Sequence, residues 1–384
     1  MDFSSFISRK SLAIPPFLVM DILERALEME NQGEKVIHLE VGEPDFPTPK
    51  CIIEAGIKAL REGKTKYTPS LGLGELRQAL AEYYAKKYGK EVSPHQIIIT
   101  NGSSPAMFLL FATLLKKGEE VILTNPYYSC YPNIIHFLGG EVNLVNVYED
   151  NGFQYSPEQV ARQLTSKTKA ILINSPANPT GSVLSAQVVK ELAELGHYLV
   201  SDETYHGLTY ESSEHTVLEF TDRAFVIGSF SKQYAMTGWR LGYLIAPEEF
   251  VRPIQKIQQN FFISANSFVQ WAGIAAIKEA QEEVEEMRGI FNQRRKFIIS
   301  RLRQMGFDLK FLPQGAFYVL VNVKKFTQDS YSFALNILSR AKVAVTPGID
   351  FGDNAEGYLR VSYANSLENI KEGMDRLEHY LKNL

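Results

Sequence analysis

Cysteine and long apolar runs are both scarce in this sequence. Its 384 residues include only Cys51 and Cys130, which excludes a disulfide framework and a cysteine-rich metal site. We therefore expect a reducing, cytoplasmic setting and no bound metal. The apolar run at residues 14–20 is short and contains two prolines, unlike the core of a signal peptide, and no other run has the length needed to cross a bilayer.

A strong excess of charge of either sign is also missing. Lysine and arginine together number 40 and aspartate and glutamate 44, which gives a net charge of -4. So small a charge gives no electrostatic reason to expect nucleic acid or an anionic membrane as a partner. The length and the 45 % hydrophobic content allow one large domain or two ordinary ones, with an ample core.

One stretch, residues 228–240, joins an apolar strand to a chemically useful lysine. The strand predicted at residues 224–227 is followed by Ser229, Lys232 and Arg240. Burial disfavours the ammonium form of a lysine and leaves a nucleophilic amine that can capture a carbonyl. A hydroxyl and a cation beside that amine suit a phosphate held next to an aldehyde, and pyridoxal 5'-phosphate carries both groups. The alternative is a solvated surface lysine, the commonest setting for this residue.

A turn of small residues precedes one of the predicted helices. Gly102, Ser103 and Ser104 lie between a strand predicted at residues 97–100 and a helix predicted at residues 106–115. Backbone N–H groups at a helix N-terminus, together with the helix dipole, favour an anion such as phosphate. The same turn could equally serve as a simple helix cap.

Polar or aromatic residues also follow other predicted strands. Tyr128, Asn178 and Asp202 each come just after an apolar strand, and Tyr205 lies three residues beyond Asp202. A carboxylate at a buried strand end is costly unless it is paired, and a protonated pyridine nitrogen would be such a partner. The alternatives are ordinary ones: a tyrosine that covers the core, an Asn-Pro turn and an aspartate that caps a helix. Ligands of wound α/β sheets bind outside the carboxyl ends of strands, where all these residues are predicted to lie.

The motif Ser-Phe-Ser-Lys followed by Gly-Trp-Arg, at residues 229–240, resembles the cofactor-lysine segment of the class I/II aminotransferases. These are fold type I pyridoxal-phosphate enzymes, similar to aspartate aminotransferase, and the resemblance extends from Gly42 to the predicted C-terminal helix. It implies an α/β protein with a large domain, residues 45–285, whose mainly parallel central sheet is flanked by helices. A smaller α+β domain would combine residues 1–44 and 286–384. The resemblance further implies a homodimer with shared active sites.

The family's site residues can be carried over to matching positions. The resemblance makes Lys232 the cofactor lysine and the proton carrier, with Asp202 at the pyridine nitrogen and Tyr205 at the ring hydroxyl as its catalytic partners. Tyr128 is expected to stack on the ring, and Asn178 to bind the ring hydroxyl. The residues expected around the phosphate are Gly102, Ser103, Ser104, Ser229, Arg240 and, reaching across the dimer, Tyr67.

Substrate recognition is assigned by the same resemblance to Gly42, Asn178 and Arg360. A planar guanidinium suits a bidentate contact with the α-carboxylate, although an arginine in a short strand could also be an exposed polar residue. Ser104 stands where some aspartate-specific relatives carry a lysine. The sequence therefore favours a neutral or aromatic L-amino acid donor, with 2-oxoglutarate as acceptor. An apolar or aromatic pocket could be formed by Ile14, Phe17, Tyr67, Tyr127, Tyr128 and Phe351.

Other functions remain open at this stage. An aspartate aminotransferase, or a carbon-sulfur lyase or decarboxylase of the same fold, would share every cofactor contact, because the pocket steers the cofactor's chemistry. A regulator that uses this fold to bind an effector would need a basic DNA-binding segment, which we do not expect here. A dinucleotide enzyme would need Gly-x-Gly-x-x-Gly after a strand, and no such motif occurs.

Overall fold

Seven apolar segments form one large, mainly parallel sheet in the computed structural model, which describes residues 6–384. The strands in this described part of the chain are β1 (Ile37–His38), β2 (Ile97–Thr100), β3 (Glu120–Asn125), β4 (Glu141–Asn146), β5 (Thr168–Asn174), β6 (Tyr198–Asp202), β7 (Ala224–Ser229), β8 (Gly242–Ile245), β9 (Tyr318–Asn322), β10 (Val343–Ala344), β11 (Thr346–Pro347) and β12 (Tyr358–Ser362). The large sheet has the order β2-β8-β7-β6-β5-β3-β4. Only β8 is antiparallel to its neighbours, so the other six strands end at the same edge.

Helices cover both faces of this sheet. The helices among residues 6–384 are α1 (Arg9–Ala13), α2 (Leu18–Asn31), α3 (Lys50–Arg61), α4 (Gly74–Tyr88), α5 (Ser103–Leu114), α6 (Cys130–Phe137), α7 (Pro157–Gln163), α8 (Ala186–Glu194), α9 (Glu248–Phe261), α10 (Ser267–Glu279), α11 (Gln281–Gln304), α12 (Ser330–Ala341) and α13 (Leu367–Lys382). The apolar side chains of α5, α6 and α9 pack on one face, and those of α3, α4, α8 and α10 on the other. Strands buried on both faces read as continuous apolar runs, which is why these segments stand out in the sequence.

A second core joins the two ends of the chain. Strands β11, β12 and β9 form a small antiparallel sheet, and β1 pairs with β10 in parallel. Along α11, Met287 belongs to the core of the large sheet and Phe291 to this second core, which also contains Ile22 of α2. The predicted α/β class, with a mainly parallel sheet flanked by helices, is confirmed. The domain limits stay a prediction. It is supported by α11, whose residues pass from one core to the other between Met287 and Phe291.

Element bounds differ from the sequence expectation in two places. Helix α5 begins at Ser103 rather than at residue 106, because Pro105 is tolerated within the first turn of a helix, where its missing N–H costs no hydrogen bond. The strand predicted at residues 224–227 continues to Ser229. Among residues 6–384 no helix is both long enough and apolar enough to cross a membrane.

Candidate active site

A cavity of about 220 Å³ lies at the edge where the parallel strands end. Tyr318 of β9 and Arg360 of β12 close it from the side of the small sheet. Most of the residues predicted from the sequence line this one cavity: Gly42, Ser103, Ser104, Tyr128, Asn178, Asp202, Tyr205, Ser229, Lys232, Arg240 and Arg360. The convergence of residues from positions 42 to 360 makes this cavity the candidate active site.

Lys232 follows β7 and reaches into the cavity. Its Nζ atom donates a 2.6 Å hydrogen bond to the carbonyl oxygen of Gly42. The pKa of Lys232 is lowered to about 8, chiefly by burial; Glu43 opposes the shift, and the positive charges of Arg240 and Arg360 contribute to it. A substantial share of this amine is therefore neutral near physiological pH and able to act as a nucleophile or base.

An anion cradle lies at one end of the cavity. Ser103 and Ser104 form the first turn of α5, and Ser229 ends β7 beside them. Gly102 has φ +100°, and a Cβ atom there would lie 2.7 Å from Nη2 of Arg240. Only glycine lets the guanidinium approach the turn so closely. Free N–H groups, hydroxyls and one cation thus converge on a space suited to a phosphate.

A buried carboxylate stands elsewhere in the cavity wall. Oδ2 of Asp202 accepts a 2.7 Å hydrogen bond from the Tyr131 hydroxyl, and Oδ1 accepts one of 3.0 Å from the backbone N–H of Thr204. Burial raises the pKa of Asp202, and these donors pull it back down. A cationic ring nitrogen beside Asp202 would compensate the carboxylate's charge and keep it ionised.

Aromatic residues shape the space between these two ends. The ring of Tyr128 meets Tyr131 edge to face at 5.4 Å and Phe17 at 6.2 Å. The hydroxyls of Tyr205 and Tyr318 lie 2.7 Å apart, so each phenol orients the other. The walls are consequently flat and apolar, with polar groups at fixed points.

Arg360 is a buried cation that has one N–H donor without a hydrogen-bond partner. Its Nη1 donates to Oδ1 of Asn178 at 2.9 Å, and its Nη2 donates to the Thr346 hydroxyl at 3.0 Å and to the carbonyl oxygen of Glu40. Its Nε has no partner. Among residues 6–384 no carboxylate oxygen lies within 4.0 Å of this guanidinium. Because a buried charge needs compensation, the site is built for an anionic ligand.

This donor set fits pyridoxal 5'-phosphate. The cradle around Arg240 matches its phosphate, the buried Asp202 matches its pyridine nitrogen, and the amine of Lys232 matches its aldehyde. Tyr205 and Asn178 line the wall where a ring hydroxyl would need partners. Arg360 stays available for a second anion.

Some predicted residues lie outside the cavity. Gly102 does not line the cavity but lies against the guanidinium of Arg240. Tyr67 is 83 % exposed on the protein surface. Of the proposed aromatic pocket, Phe17 and Tyr128 line the cavity, but Phe351 does not. Its ring is fully buried beneath the guanidinium of Arg360, at 4.9 Å.

Two further members of the proposed pocket are also elsewhere. Ile14 is exposed in the segment between α1 and α2. Tyr127 lines a neighbouring small cavity, and its backbone N–H donates a hydrogen bond to the carbonyl oxygen of Phe351. The pocket interpretation was wrong for Ile14, Tyr127 and Phe351.

Several lining residues had no signal in the sequence. Tyr131 and Tyr318 contact predicted site residues from distant parts of the chain, which no local pattern reveals. The apolar part of the lining includes Val19, Met20, Val41 and Met107. The place of α2 beside the cavity depends on its packing against the second core, which no local pattern reveals.

Comparison with known proteins agrees with this geometry. The pattern of the family described as aminotransferase class I and II matches residues 34–377. The (5-formylfuran-3-yl)methyl phosphate transaminase of Methanocaldococcus jannaschii is 43% identical over 98% of this chain and 99% of the relative. The aspartate aminotransferase of Pyrococcus horikoshii is 39% identical over 98% of this chain and 97% of its own length.

Solved structures have the same architecture. A double mutant of Thermus thermophilus aspartate aminotransferase superimposes with a TM-score of 0.93 at 38% identity, covering 97% of this chain and 99% of the other. A Methanococcus jannaschii protein, described as similar in its active site to kynurenine aminotransferases, gives a TM-score of 0.91 at 42% identity, covering 98% and 100%. This chain therefore belongs to the class I and II aminotransferases and is a pyridoxal-phosphate-dependent transaminase.

Proposed function

We propose that this transaminase moves the amino group of a neutral or aromatic L-amino acid to 2-oxoglutarate. The observation that carries the proposal is the charge of the cavity lining: its only cationic residues in the described chain are Lys232, Arg240 and Arg360. Each of these is needed for the cofactor or the α-carboxylate. The lining also contains a set of apolar side chains: Phe17, Val19, Met20, Val41 and Met107. An apolar side chain is stabilised there by burial.

The reaction needs a carbonyl that takes up the amino group and a ring that accepts an electron pair, and pyridoxal 5'-phosphate supplies both when bound. Lys232 would hold the cofactor through its aldehyde until the donor's amine replaces it. Once freed, Nζ of Lys232 would take a proton from Cα of the donor as a base and would later give a proton back as an acid. Asp202 would keep a proton on the ring nitrogen, and Tyr205 would orient the ring hydroxyl.

Arg360 would orient the donor during this proton transfer. Its guanidinium is fixed by Asn178 and Thr346 on one edge and by the Tyr318 ring, 4.3 Å below. A fixed fork can bind a carboxylate through two parallel hydrogen bonds. Binding in this way places Cα toward Lys232, because both side chains line the same cavity.

A homodimer would complete the site. Arg240 and Ser104 are exposed in the single chain, although both border the cradle. Large apolar side chains are also exposed: Ile57, Leu60, Tyr67, Phe261 and Ile263. A second copy that buries such residues would be stabilised, and Tyr67 would then be free to reach the partner's cradle. We place the enzyme in the cytoplasm, in amino acid metabolism, in keeping with its two unpaired cysteines.

Products distinguish this proposal from its alternatives. The purified enzyme is incubated with 2-oxoglutarate and a panel of donors that includes phenylalanine, alanine and aspartate, and glutamate is measured. Glutamate formed fastest with the neutral or aromatic donors supports the proposal. A preference for aspartate would favour an aspartate aminotransferase instead, and pyruvate with ammonia from cysteine would indicate a lyase.

A variant pair ties the activity to the site. Lys232→Ala is expected to abolish both glutamate formation and the cofactor absorbance of the purified protein. Lys169→Ala changes a surface lysine that pairs with Glu119, and it is expected to retain both. Retention of either property in Lys232→Ala would contradict the role given to Lys232.

(5-Formylfuran-3-yl)methyl phosphate, the compound in the name of one relative, is a further acceptor to test beside 2-oxoglutarate.

A further inference from the structure

Glu40, whose backbone contacts Arg360, has a buried carboxylate with one hydrogen-bond partner. Glu40 is fully buried, and its Oε1 lies 2.7 Å from Nδ1 of His38. Its other oxygen, Oε2, has no hydrogen-bond partner. A buried, ionised carboxylate with one partner is costly unless that partner carries a positive charge. The charge on Glu40 is therefore compensated by a single side chain, the imidazole of His38.

The same glutamate contacts the substrate arginine through its backbone. The carbonyl oxygen of Glu40 accepts hydrogen bonds from Nη2 of Arg360 and, at 3.1 Å, from the Thr346 hydroxyl. Thr346 in turn accepts a 3.0 Å hydrogen bond from Nη2 of Arg360. The position of residue 40 thus fixes one side of the guanidinium, and the side chain of that residue is held by His38.

Few other charges act on this histidine. Glu30 of α2 lies 3.4 Å from Nε2, on the opposite side of the ring from Glu40. The neighbouring cations are already paired: Arg376 of α13 pairs with Glu372, and Lys342, the residue before β10, pairs with Glu34. The hydrogen bond to Glu40 raises the pKa of His38, against the effect of burial, and the negative charges of Glu40 and Glu30 raise it further.

We propose that His38 is a positioning residue for Arg360, whose protonated imidazole neutralises Glu40 and so holds the carbonyl oxygen that orients the substrate-binding guanidinium. The inference rests on the proposed role of Arg360 in binding the substrate carboxylate. Loss of the proton from His38 leaves Glu40 buried and uncompensated. The segment at residue 40 then shifts toward solvent, and the fork at Arg360 loses one of its fixed contacts.

The direction of the pH effect follows from the raised pKa. The pairing of His38 with Glu40 is complete below the ordinary histidine value of 6.5 and is lost as the pH rises through the higher value of the folded protein. Carboxylate binding should therefore weaken on the alkaline side. A probe without an amino group separates this effect from the titration of a substrate amine, and 3-phenylpropanoate has the required carboxylate and aromatic ring.

The experiment measures the dissociation constant of 3-phenylpropanoate for the holoenzyme by calorimetry, between about pH 6 and about pH 9. The wild type should bind more weakly as the pH rises. His38→Gln keeps a hydrogen-bond donor but no charge, so at low pH it should bind about fivefold more weakly than the wild type, with a flatter profile. Glu40→Gln removes the negative charge that His38 neutralises. The affinity of this variant for 3-phenylpropanoate should therefore not change when His38 gains or loses its proton.

Controls separate the possible outcomes. His136→Gln removes a half-exposed histidine of α6, near Glu141, and should retain the wild-type profile. Arg360→Lys should weaken binding at every pH. A normal affinity in Arg360→Lys would overturn the proposed function of Arg360 itself. Weak binding in Arg360→Lys combined with a wild-type profile in His38→Gln would overturn the role of His38 alone.

Discussion

The hydroxyl of Tyr131 donates a 2.7 Å hydrogen bond to Oδ2 of Asp202, and the same ring packs edge to face against Tyr128 at 5.4 Å. One side chain therefore links the buried carboxylate to the aromatic wall of the cavity. Tyr131 itself is 1 % exposed, so it has no alternative partner in water. Its role is to fix the orientation of Asp202 and to stabilise its ionised form.

Removal of that hydroxyl tests this relationship. Tyr131→Phe leaves Oδ2 of Asp202 without a donor in a buried place, and hydrogen bonds to charged groups contribute about 1.5–3 kcal/mol. We expect kcat to fall by about tenfold or more, because a carboxylate that protonates more readily holds the ring nitrogen's proton less well. Steady-state kinetics with a saturating donor measures the change.

A second phenol provides the control. The hydroxyl of Tyr363 donates to the carbonyl oxygen of Ala316 at 3.2 Å in the second core, away from the cavity. Tyr363→Phe should lower the melting temperature slightly and leave kcat unchanged. If both variants lost activity equally, the loss in Tyr131→Phe would reflect a lower stability of the fold and not the missing hydrogen bond to Asp202.

Lys232, Asp202 and Asn178 could be predicted because each follows an apolar strand, and parallel strands end at one edge of a sheet. Tyr131 could not, since its contact with Asp202 spans 71 residues and arises only when the folded chain brings α6 to the end of β6. The contact of Tyr205 with Tyr318 spans 113 residues.

Lys232 should also affect how the stability of the protein depends on pH. The pKa of Lys232 is about 8 in the folded protein and 10.5 ordinarily, so between these values the unfolded chain binds more protons. The free energy of unfolding of the cofactor-free enzyme should then rise with pH across this window. Lys232→Met should remove this rise and stabilise the protein below pH 8 by up to about 2 kcal/mol, less than the full shift because solvent screens part of it.

Denaturant unfolding at several pH values measures this effect. Lys169→Met, at a surface lysine paired with Glu119, is the matched control and should keep the wild-type slope. An unfolding free energy of Lys232→Met that followed the wild-type curve at every pH would mean that the amine is not desolvated.

The arginine of β12 should control affinity more than turnover. Arg360→Lys keeps the charge but replaces the fork by a point charge, which cannot contact Asn178, Thr346 and a carboxylate at once. We expect KM for the amino donor to rise about tenfold or more, with a smaller change in kcat. An unchanged KM in initial-rate measurements would contradict a contact between Arg360 and the substrate.

The exposed tyrosine tests the shared active site. Tyr67→Phe removes a hydroxyl that has no role in the single chain, where the side chain is 83 % exposed. If it contacts the partner's cradle, the dissociation constant of pyridoxal 5'-phosphate should rise about fivefold, the effect of one lost hydrogen bond, while sedimentation still shows a dimer. Tyr148→Phe, at another exposed tyrosine, should change neither property.

Ser104 offers the sharpest test of donor specificity. It is exposed in the first turn of α5 and lines the cavity, so a longer side chain there can extend into the substrate space without displacing the core. Ser104→Lys would add a cation for a side-chain carboxylate, and we expect the ratio of kcat/KM for aspartate to that for phenylalanine to rise about tenfold. Ser104→Met adds similar length without charge and should not raise the ratio. A rise in both variants would show that cavity shape, and not charge, selects the donor.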